Sequence, residues 1–489
     1  MRWGRRQVYL ELDGQGPQYA QLTRAMKGAI LNGRLGAGSR LPPTRVLARE
    51  LELSRITVLA AYEQLRAEGF IEGRVGSGSY VAHLQTKAPV RSAANATEIA
   101  APSRFSRRAR LVLDRTIAVQ HRGLRYNLQF GNPQVNPLLN DIWARELARA
   151  ATYTSLDVAR SQGYEPLRVQ VADYLGRRRG LNVSPDDVLI VSGSQQAFSL
   201  TARVLVDEGD SVVLEEPTYF GARQIFGTYG AKLHPVRTDD EGLVCAELPK
   251  QAPELICVTP SHQFPGGSVM SLQRRLDLLH YAATKHCWVL EDDYDGEFRY
   301  DTHPLAAMRS LDQHDRVIYV GTFSKVMFGG LRLAYMVVPQ ALREDFINAK
   351  YMDDFSCAAI EQAALAHFME SGGFERHLRR ATKELRARRE AVLEGLRQHA
   401  GDRVDVVDSP AGIHTVVWLR GYSHELATEL INYAHERGLG LYPIMPHYFK
   451  APPRPGLLLG FCGLPVNALE EAMQLFGRCL DAFESRRER

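Results

Sequence analysis

The chain has few cysteines and no long apolar run. Six cysteines are scattered over 489 residues, and none forms a CxxC pair. That spacing is typical of reduced thiols and argues against a zinc ribbon or a disulfide framework, so no metal site is predicted. No stretch of about 18 consecutive apolar residues occurs, so no membrane span is expected. The first residues lack the apolar core of a secretory signal, and a cytoplasmic protein is therefore expected.

Charge is nearly balanced but unevenly placed. The net charge is +4, yet residues 1–120 contain 19 Lys/Arg against 9 Asp/Glu, a balance of +10 that leaves −6 for the rest. A basic front end on an acidic body is typical of a nucleic-acid-binding module joined to another domain. An apolar fraction of 45% and a charged fraction of 24% indicate an ordinary globular chain.

Residues 18–82 show the periodicity of three helices followed by a hairpin. Pro42 and Pro43 lead into a short second helix that Thr44 is expected to cap, and Ser54 is expected to cap the third. Gly69 ends the third helix, and FIEGRVGSGSYVA then predicts two strands around a glycine-rich turn. The apolar stripe of the third helix is Val58, Ala61, Tyr62 and Leu65. We expect a winged helix-turn-helix within residues 1–82; the alternative is a small helical domain for protein contacts.

A winged helix binds DNA through polar side chains at the start of its third helix. Arg55 stands there and could reach a guanine edge or a phosphate, while Arg45 and Arg74 could hold phosphates. The small residues of the wing would let its backbone approach the duplex. The predicted contacts to a double-stranded DNA operator are Arg45, Ser54, Arg55, Thr57, Arg74, Gly76 and Ser77.

Beyond this unit the composition changes twice. Residues 83–120 are rich in Ala, Ser, Pro and Arg without periodicity, which indicates an interdomain linker. From residue 121 short apolar runs alternate with helical segments, and this predicts an α/β domain over 121–489 with a mainly parallel sheet and a smaller α/β subdomain from about residue 350. Ligands of such sheets bind beyond the carboxyl ends of the strands.

The segment GTFSKVMFGGLRLAY is the most informative in this domain. Lys325 follows a strand among small hydroxyl residues, a setting suited to an amine that attacks an aldehyde as a Schiff-base lysine. Thr322, Ser324 and Arg332 could donate hydrogen bonds to a phosphate, and Ser194 and Gln195 in SGSQQA open a helix whose free N–H groups could do the same.

Three further residues could complete a cofactor site. Asp292 and Tyr294 in EDDYDGEF are two apart on a predicted strand, and a buried carboxylate beside a pyridine nitrogen keeps that nitrogen protonated. Tyr219 in EEPTY could stack on the ring. The alternative is that EDDYD is a solvated acidic loop and Tyr219 a packing residue.

Two resemblances follow from these motifs. LPPTRVLARELELSRITVLAAYEQLRAEGFIEGRVGSGSYVA resembles the GntR family of DNA-binding regulators. The combination of SGSQQA, EEPTY, TPSHQFPGG, EDDYDGEF and GTFSK resembles the MocR subfamily, in which a winged helix is fused to a fold-type I, aminotransferase-like domain that binds pyridoxal 5'-phosphate.

The resemblance implies roles for these residues. Lys325 would form the Schiff base, Asp292 would pair with the pyridine nitrogen and Tyr294 with the ring oxygen. Tyr219 would stack on the ring, and His262 and Gln263 would lie near the cofactor. Ser194, Gln195, Thr322, Ser324 and Arg332 would hold the phosphate. A head-to-tail homodimer is also implied.

The sequence departs from an aminotransferase at two positions. Leu458 stands where such enzymes generally place the arginine that binds the substrate carboxylate, although Arg454 is four residues away, and Phe264 replaces their usual asparagine before proline. The GABA-responsive member of the family carries an arginine where Gly221 stands here, so GABA is a poor candidate effector.

We therefore expect a transcription regulator rather than an efficient enzyme, with at most a partial transamination half-reaction. Its effector would be an amino compound or pyridoxal phosphate itself. The alternatives are a true aminotransferase with an added DNA-binding module and a dimerisation scaffold without cofactor.

Overall fold

A computed structural model describes residues 2–3, 6–7, 10–74, 77–83, 106, 108, 123–131, 133, 139–153, 160–300 and 305–487. The chain divides into two compact units, Met1–Phe105 and Ser106–Arg489. The predicted linker, residues 83–120, lies almost wholly outside the described residues, so its boundaries stay a prediction.

The first unit contains the three helices and the hairpin that the periodicity predicted. The predicted stripe of the third helix is buried in one apolar cluster with Leu22 and Met26 of the first helix. A pair of two-residue strands, Arg2–Trp3 and Arg6–Gln7, comes before them. The elements are α1 (Gln18–Leu31), α2 (Thr44–Glu50), α3 (Arg55–Ala67) and the antiparallel strands β1 (Ile71–Arg74) and β2 (Gly78–Val81).

The two predicted helix caps in this unit have different outcomes. Ser54 Oγ accepts a hydrogen bond of 3.0 Å from the Thr57 backbone N–H, so this cap is confirmed. The prediction for Thr44 is wrong, because Pro43 holds the extended cap position with ψ 143° and Thr44 is the first helical residue. Proline has no hydroxyl, so α2 begins without a side-chain cap.

An eight-stranded sheet forms the centre of the second unit, in the order β3-β10-β9-β8-β7-β4-β5-β6. All strands are parallel except β10 and β6, which confirms the mainly parallel sheet. The strands are β3 (Val188–Val191), β4 (Ser211–Glu216), β5 (Lys232–Asp239), β6 (Gly242–Leu243), β7 (Leu255–Val258), β8 (Trp288–Asp293), β9 (Val317–Thr322) and β10 (Ala334–Val337).

Alternate residues of these strands face opposite sides of the sheet, and helices cover both sides. Leu214 of β4 packs with Phe198 and Phe226, whereas its neighbour Val213 packs with Leu278 on the other face. The helices are α4 (Leu139–Tyr153), α5 (Glu165–Arg179), α6 (Ser194–Leu205), α7 (Phe220–Thr228), α8 (Leu272–Lys285), α9 (Arg343–Asp354) and α10 (Ala359–Glu370).

The C-terminal part forms the smaller α/β subdomain that was predicted. An antiparallel sheet of β11 (Val404–Val406), β12 (His414–Leu419) and β13 (Gly456–Gly460) packs with α11 (Gly373–His399), α12 (His424–His435) and α13 (Val466–Arg487). Leu439–Gly440 also pairs in parallel with Tyr126–Asn127. Within the described ranges, no helix is long and apolar enough to cross a membrane.

Candidate functional site

A cavity of about 590 Å³ in the second unit contains most of the predicted site residues. It opens where β3, β4, β8 and β9 reach their carboxyl ends, as expected for an α/β sheet. The lining residues are Gln129, Phe130, Ser194, Gln195, Tyr219, Phe220, Phe264, Asp292, Tyr294, Thr322, Ser324, Lys325, Arg332, Ile431, Leu441, Tyr442, Pro443, Pro446, His447 and Leu458.

Lys325 presents its amine to this cavity from the turn after β9. Its Nζ donates a hydrogen bond of 3.2 Å to the Gly131 carbonyl and lies 4.7 Å from the centre of the Phe130 ring. Burial lowers the pKa of Lys325, since a cation is poorly solvated there, although nearby acids oppose the change. A larger fraction of the amine is therefore neutral and nucleophilic than on an exposed lysine.

Asp292, the penultimate residue of β8, is 6% exposed, and its Oδ1 has no hydrogen-bond partner among the described residues. Burial and the neighbouring carboxylates raise the pKa of Asp292 to about 8. An unsatisfied buried carboxylate oxygen is costly, so its presence at a cavity wall indicates a place for a donor or cation supplied by a ligand. The adjacent Asp293 and Asp295 are also buried, which excludes a solvated acidic loop.

Tyr294 lies one residue beyond the end of β8, not on the strand as predicted, yet it lines the same cavity. Its hydroxyl is 2.8 Å from His262 Nδ1, which is also 3.0 Å from Asp295 Oδ2. His262 does not line the cavity, so it can act on a cavity ligand only through Tyr294. Gln263 lies deeper still and donates to the Pro217 carbonyl at 2.8 Å.

Tyr219 extends from the start of α7 towards α6. Its hydroxyl accepts a hydrogen bond of 2.8 Å from Gln195 Nε2, and its ring packs edge-on to Phe264 with centres 5.8 Å apart. A Cβ atom on Gly221 would lie 2.2 Å from Gln195 Nε2 and 2.4 Å from Tyr219 Cε1, so no side chain fits there as these residues stand. The space beside Gly221 is therefore filled by Gln195 and Tyr219.

Five residues form a polar corner at the start of α6. Ser194 is its first residue, and the cap before it, Gly193, has φ 125° and contacts the Arg332 guanidinium closely enough that a Cβ would lie 2.6 Å from Nη2. Thr322 Oγ1 accepts from the Ser324 backbone N–H at 3.1 Å, and Ser324 Oγ has no partner among the described residues. A helix N-terminus, an arginine and spare hydroxyls suit a phosphate.

Another part of the cavity wall is apolar. Leu458 on β13 is 3% exposed and belongs to one cluster with Phe264, Tyr294 and Ile444. Arg454 pairs with Asp405 and lies over the Trp418 ring, and it is not among the lining residues of the cavity. Arg332 is the one arginine among the lining residues of this cavity.

Sequence reasoning missed the residues that other segments bring to the cavity. Phe130 and Gly131 follow the strand at Tyr126–Asn127, and His447 comes from the small subdomain. The glycine and proline of the GNP motif at 131–133 are the local signal that could have indicated a loop here. His414 was also missed: with His262 and Asp295 it places potential metal-ligating atoms within 4.8 Å of one another, a group not predicted from the sequence.

The predicted DNA-binding residues lie on the surface of the first unit. Arg45 of α2 and Arg55 of α3 are exposed. Arg74 pairs with Glu72 at 2.9 Å, and the Ser54 hydroxyl is engaged with Thr57. Ser77 bonds with Tyr80 at 3.0 Å, and Gly76 lies outside the described residues.

Comparison with known proteins assigns both units. Residues 18–81 match the model of bacterial regulatory proteins of the gntR family, and residues 127–437 match aminotransferase class I and II. The chain belongs to the MocR subfamily of GntR-type regulators, which join these two domains.

Three relatives show the extent of the likeness. The chain is 36% identical to the probable rhizopine catabolism regulatory protein MocR of Rhizobium meliloti, over 98% of this chain and 97% of that one. It is 29% identical to the pyridoxine biosynthesis regulator PdxR of Corynebacterium glutamicum, over 90% and 91%. The second unit is similar to the α-aminoadipate aminotransferase LysN of Thermus thermophilus, complexed with N-(5'-phosphopyridoxyl)-L-leucine, with TM-score 0.68, 28% identity and coverage of 78% and 96%.

These findings confirm the fold and the broad function expected from the sequence. The chain is a pyridoxal-phosphate-dependent transcription regulator that binds DNA through its first unit. The cavity fits that cofactor: the Asp292 oxygen without a partner suits a protonated ring nitrogen, and the polar corner suits the phosphate.

Proposed function

We propose that the cavity of the second unit holds pyridoxal phosphate at Lys325 and detects an amino compound without a carboxylate clamp, and that occupancy of the cavity controls DNA binding by the first unit. The observation that carries this proposal is that one cavity is lined both by the buried amine of Lys325 and by the apolar side chain of Leu458. When bound, the cofactor supplies an aldehyde that combines reversibly with primary amines.

The cavity residues then have the following roles. Lys325 is the covalent attachment point, and its partly neutral amine is the nucleophile. Asp292 holds the proton of the ring nitrogen, and Tyr294 donates to the ring oxygen while His262 fixes the direction of its hydroxyl. Tyr219 stacks on the ring. The phosphate is held by Ser194, Gln195, Thr322, Ser324 and Arg332.

The domain arrangement and assembly complete the proposal. Residues 1–82 form the DNA-binding domain, 83–120 the linker, and 121–489 the sensing and dimerisation domain of a head-to-tail homodimer. Two winged helices in one dimer would contact two half-sites of an operator, and the effector would shift the body between conformations with different DNA affinities. We place this activity in the cytoplasm, where bacterial DNA is located.

A second candidate is a sensor of pyridoxal phosphate itself. The missing carboxylate arginine favours it, since a cofactor sensor needs no such clamp, and the relative PdxR is named as a regulator of pyridoxine biosynthesis. A true aminotransferase is the third reading, and sustained turnover of an amino donor with a keto acid would support it.

The test is a spectral titration of the full-length protein with a panel of amines, read beside operator binding. Lys325→Ala should abolish the visible absorbance band of the bound cofactor and all response to amines, while Lys232→Ala on exposed β5 should leave both unchanged. An unchanged spectrum in Lys325→Ala would reject the attachment point. DNA affinity that follows the cofactor but no amine would select the cofactor sensor.

A further inference from the structure

The recognition helix α3 presents an apolar strip to solvent. Ile56 is 79% exposed and Leu59 is 45% exposed, and both lie just after Arg55 at the amino end of the helix. Residues three apart share one face of a helix, so the two side chains form a continuous strip.

Packing of the first unit does not explain this strip. The core side of α3 is already occupied by Val58, Ala61, Tyr62 and Leu65, each at most 3% exposed. At 100° per residue Ile56 points almost directly away from that stripe. Two adjoining apolar side chains on the face of α3 that is expected to enter the DNA groove suit a ligand with apolar groups there.

The charges around the strip favour DNA as its occupant. Arg45 and Arg49 on α2 and Arg55 on α3 are exposed, and guanidinium groups attract phosphates. In the major groove the apolar group of a base pair is the thymine C5 methyl, which side chains such as alanine and phenylalanine contact. An aliphatic strip beside an arginine thus matches a thymine next to a guanine.

We propose that Ile56 and Leu59 read thymine methyl groups in the major groove, so that each operator half-site carries thymine beside the base pair contacted by Arg55. The proposal rests on DNA binding by the first unit and adds which sequence feature that unit selects. These two residues determine specificity, while the phosphate contacts determine position.

The test starts with selection of duplexes from a random pool by the full-length protein loaded with cofactor. Each thymine of the selected duplex is then replaced by uracil, which removes the methyl alone. We expect one or two positions per half-site at which uracil weakens binding roughly three- to fivefold, the value of one buried methyl group. Ile56→Ala or Leu59→Ala should bind thymine and uracil duplexes equally at those positions.

Two variants serve as controls. Ile56→Thr keeps one γ-methyl group and should retain part of the discrimination. Leu31→Ala, at an equally exposed leucine on α1, should retain all of it. Because the substituted side chains are exposed, circular dichroism should show the fold unchanged.

The outcomes separate this proposal from the function beneath it. Failure to select any duplex would overturn DNA binding itself and the proposal with it. Tight binding that ignores uracil, or discrimination that survives both alanine variants, would overturn the proposal alone. Loss of dimers in those variants with discrimination intact would assign the strip to a contact between chains and would also overturn it.

Discussion

The two walls of the cavity are built for different purposes. One wall is polar and incompletely satisfied: Asp292 and Ser324 each keep an oxygen that no described residue hydrogen-bonds, and burial disfavours the charge of Lys325. The other wall, with Phe264 and Leu458, is apolar and closely packed. Burial of the polar groups of the first wall costs free energy that a bound cofactor would recover. The second wall offers a ligand apolar contact without hydrogen bonds or charge. Because cofactor binding and recognition of the amino compound depend on different walls, a substitution can abolish one of them and preserve the other.

Removing the charge of Asp292 should give the largest effect. The rise in its pKa from 3.8 to about 8 means that the folded apo-protein binds an extra proton between these pH values. The free energy of unfolding therefore falls as pH rises through that window, by up to ~6 kcal/mol. Asp292→Asn has no carboxyl to ionise, so its free energy of unfolding should not decrease for this reason. The apo variant should therefore be more stable than the wild type above pH 8.

Denaturant melts of both apo-proteins from pH 4 to pH 9 measure this difference. Glu291 and Glu297, whose pKa values are also raised to about 7, titrate in both proteins and contribute to both profiles. The same variant should bind pyridoxal phosphate at least tenfold more weakly, because a charge-assisted contact of about 1.5–3 kcal/mol is lost. If the wild type and Asp292→Asn have the same dependence of stability on pH, the pKa of Asp292 is not raised in the folded apo-protein.

Leu458→Arg tests the apolar wall. A buried arginine without a partner should destabilise the apo-protein by about 3–5 kcal/mol. It should also give L-leucine a 10- to 150-fold advantage over 3-methylbutylamine, which is leucine without its carboxylate, through a contact of about 1.5–3 kcal/mol.

In the wild type the two compounds should bind alike in a spectral titration, and Leu458→Met, which keeps volume and polarity, should match the wild type. A wild-type preference for leucine would show that another group already binds the carboxylate.

Ser324→Ala should change cofactor affinity without lowering the stability of the apo-protein. The hydroxyl has no partner among the described residues, so its removal should leave apo stability unchanged or slightly raised. Cofactor affinity should fall by about 1.5–3 kcal/mol if the hydroxyl binds the phosphate. Equilibrium dialysis measures the affinity, and Ser485→Ala on α13 is the control. A stability loss above 1 kcal/mol would mean that the serine has a structural partner.

Tyr219→Phe should have the smallest effect. It removes the bond from Gln195, about 0.5–1.5 kcal/mol, but keeps the ring. Cofactor affinity should decrease by a factor of roughly two to ten, and Tyr219→Ala should reduce it further because stacking is lost as well. If Tyr219→Ala binds the cofactor as tightly as Tyr219→Phe, the ring of Tyr219 does not stack on the cofactor.

Local patterns predicted the elements well and the cavity in part. Ser54 and the stripe of α3 depend on residues within one turn, and the strand ends that place Asp292 and Lys325 follow from short apolar runs. The predicted cap at Thr44 was wrong because Pro43 adopts the extended conformation of the cap position, one residue earlier. Tyr294 lies just past its strand because β8 ends at Asp293.

Residues from remote segments could not be predicted in the same way. Phe130, His414 and His447 join the cavity or its surroundings from distant parts of the chain, and no local periodicity records that pairing. The position of His262 behind Tyr294 likewise depends on how two loops meet. The sequence indicated which residues could bind a cofactor. It did not indicate which of them line the cavity and which, like His262, lie behind a lining residue.

The crowding at Gly221 limits how this regulator could acquire new signals. Any side chain at that position would displace Gln195 and Tyr219, two residues assigned to hold the cofactor. A single codon change there would damage cofactor binding before it created an acid-binding site. An acid-binding group would therefore need a compensating change at either place: at Gly221 to move two neighbouring side chains, and at the leucine on β13 to offset the cost of burying a charge.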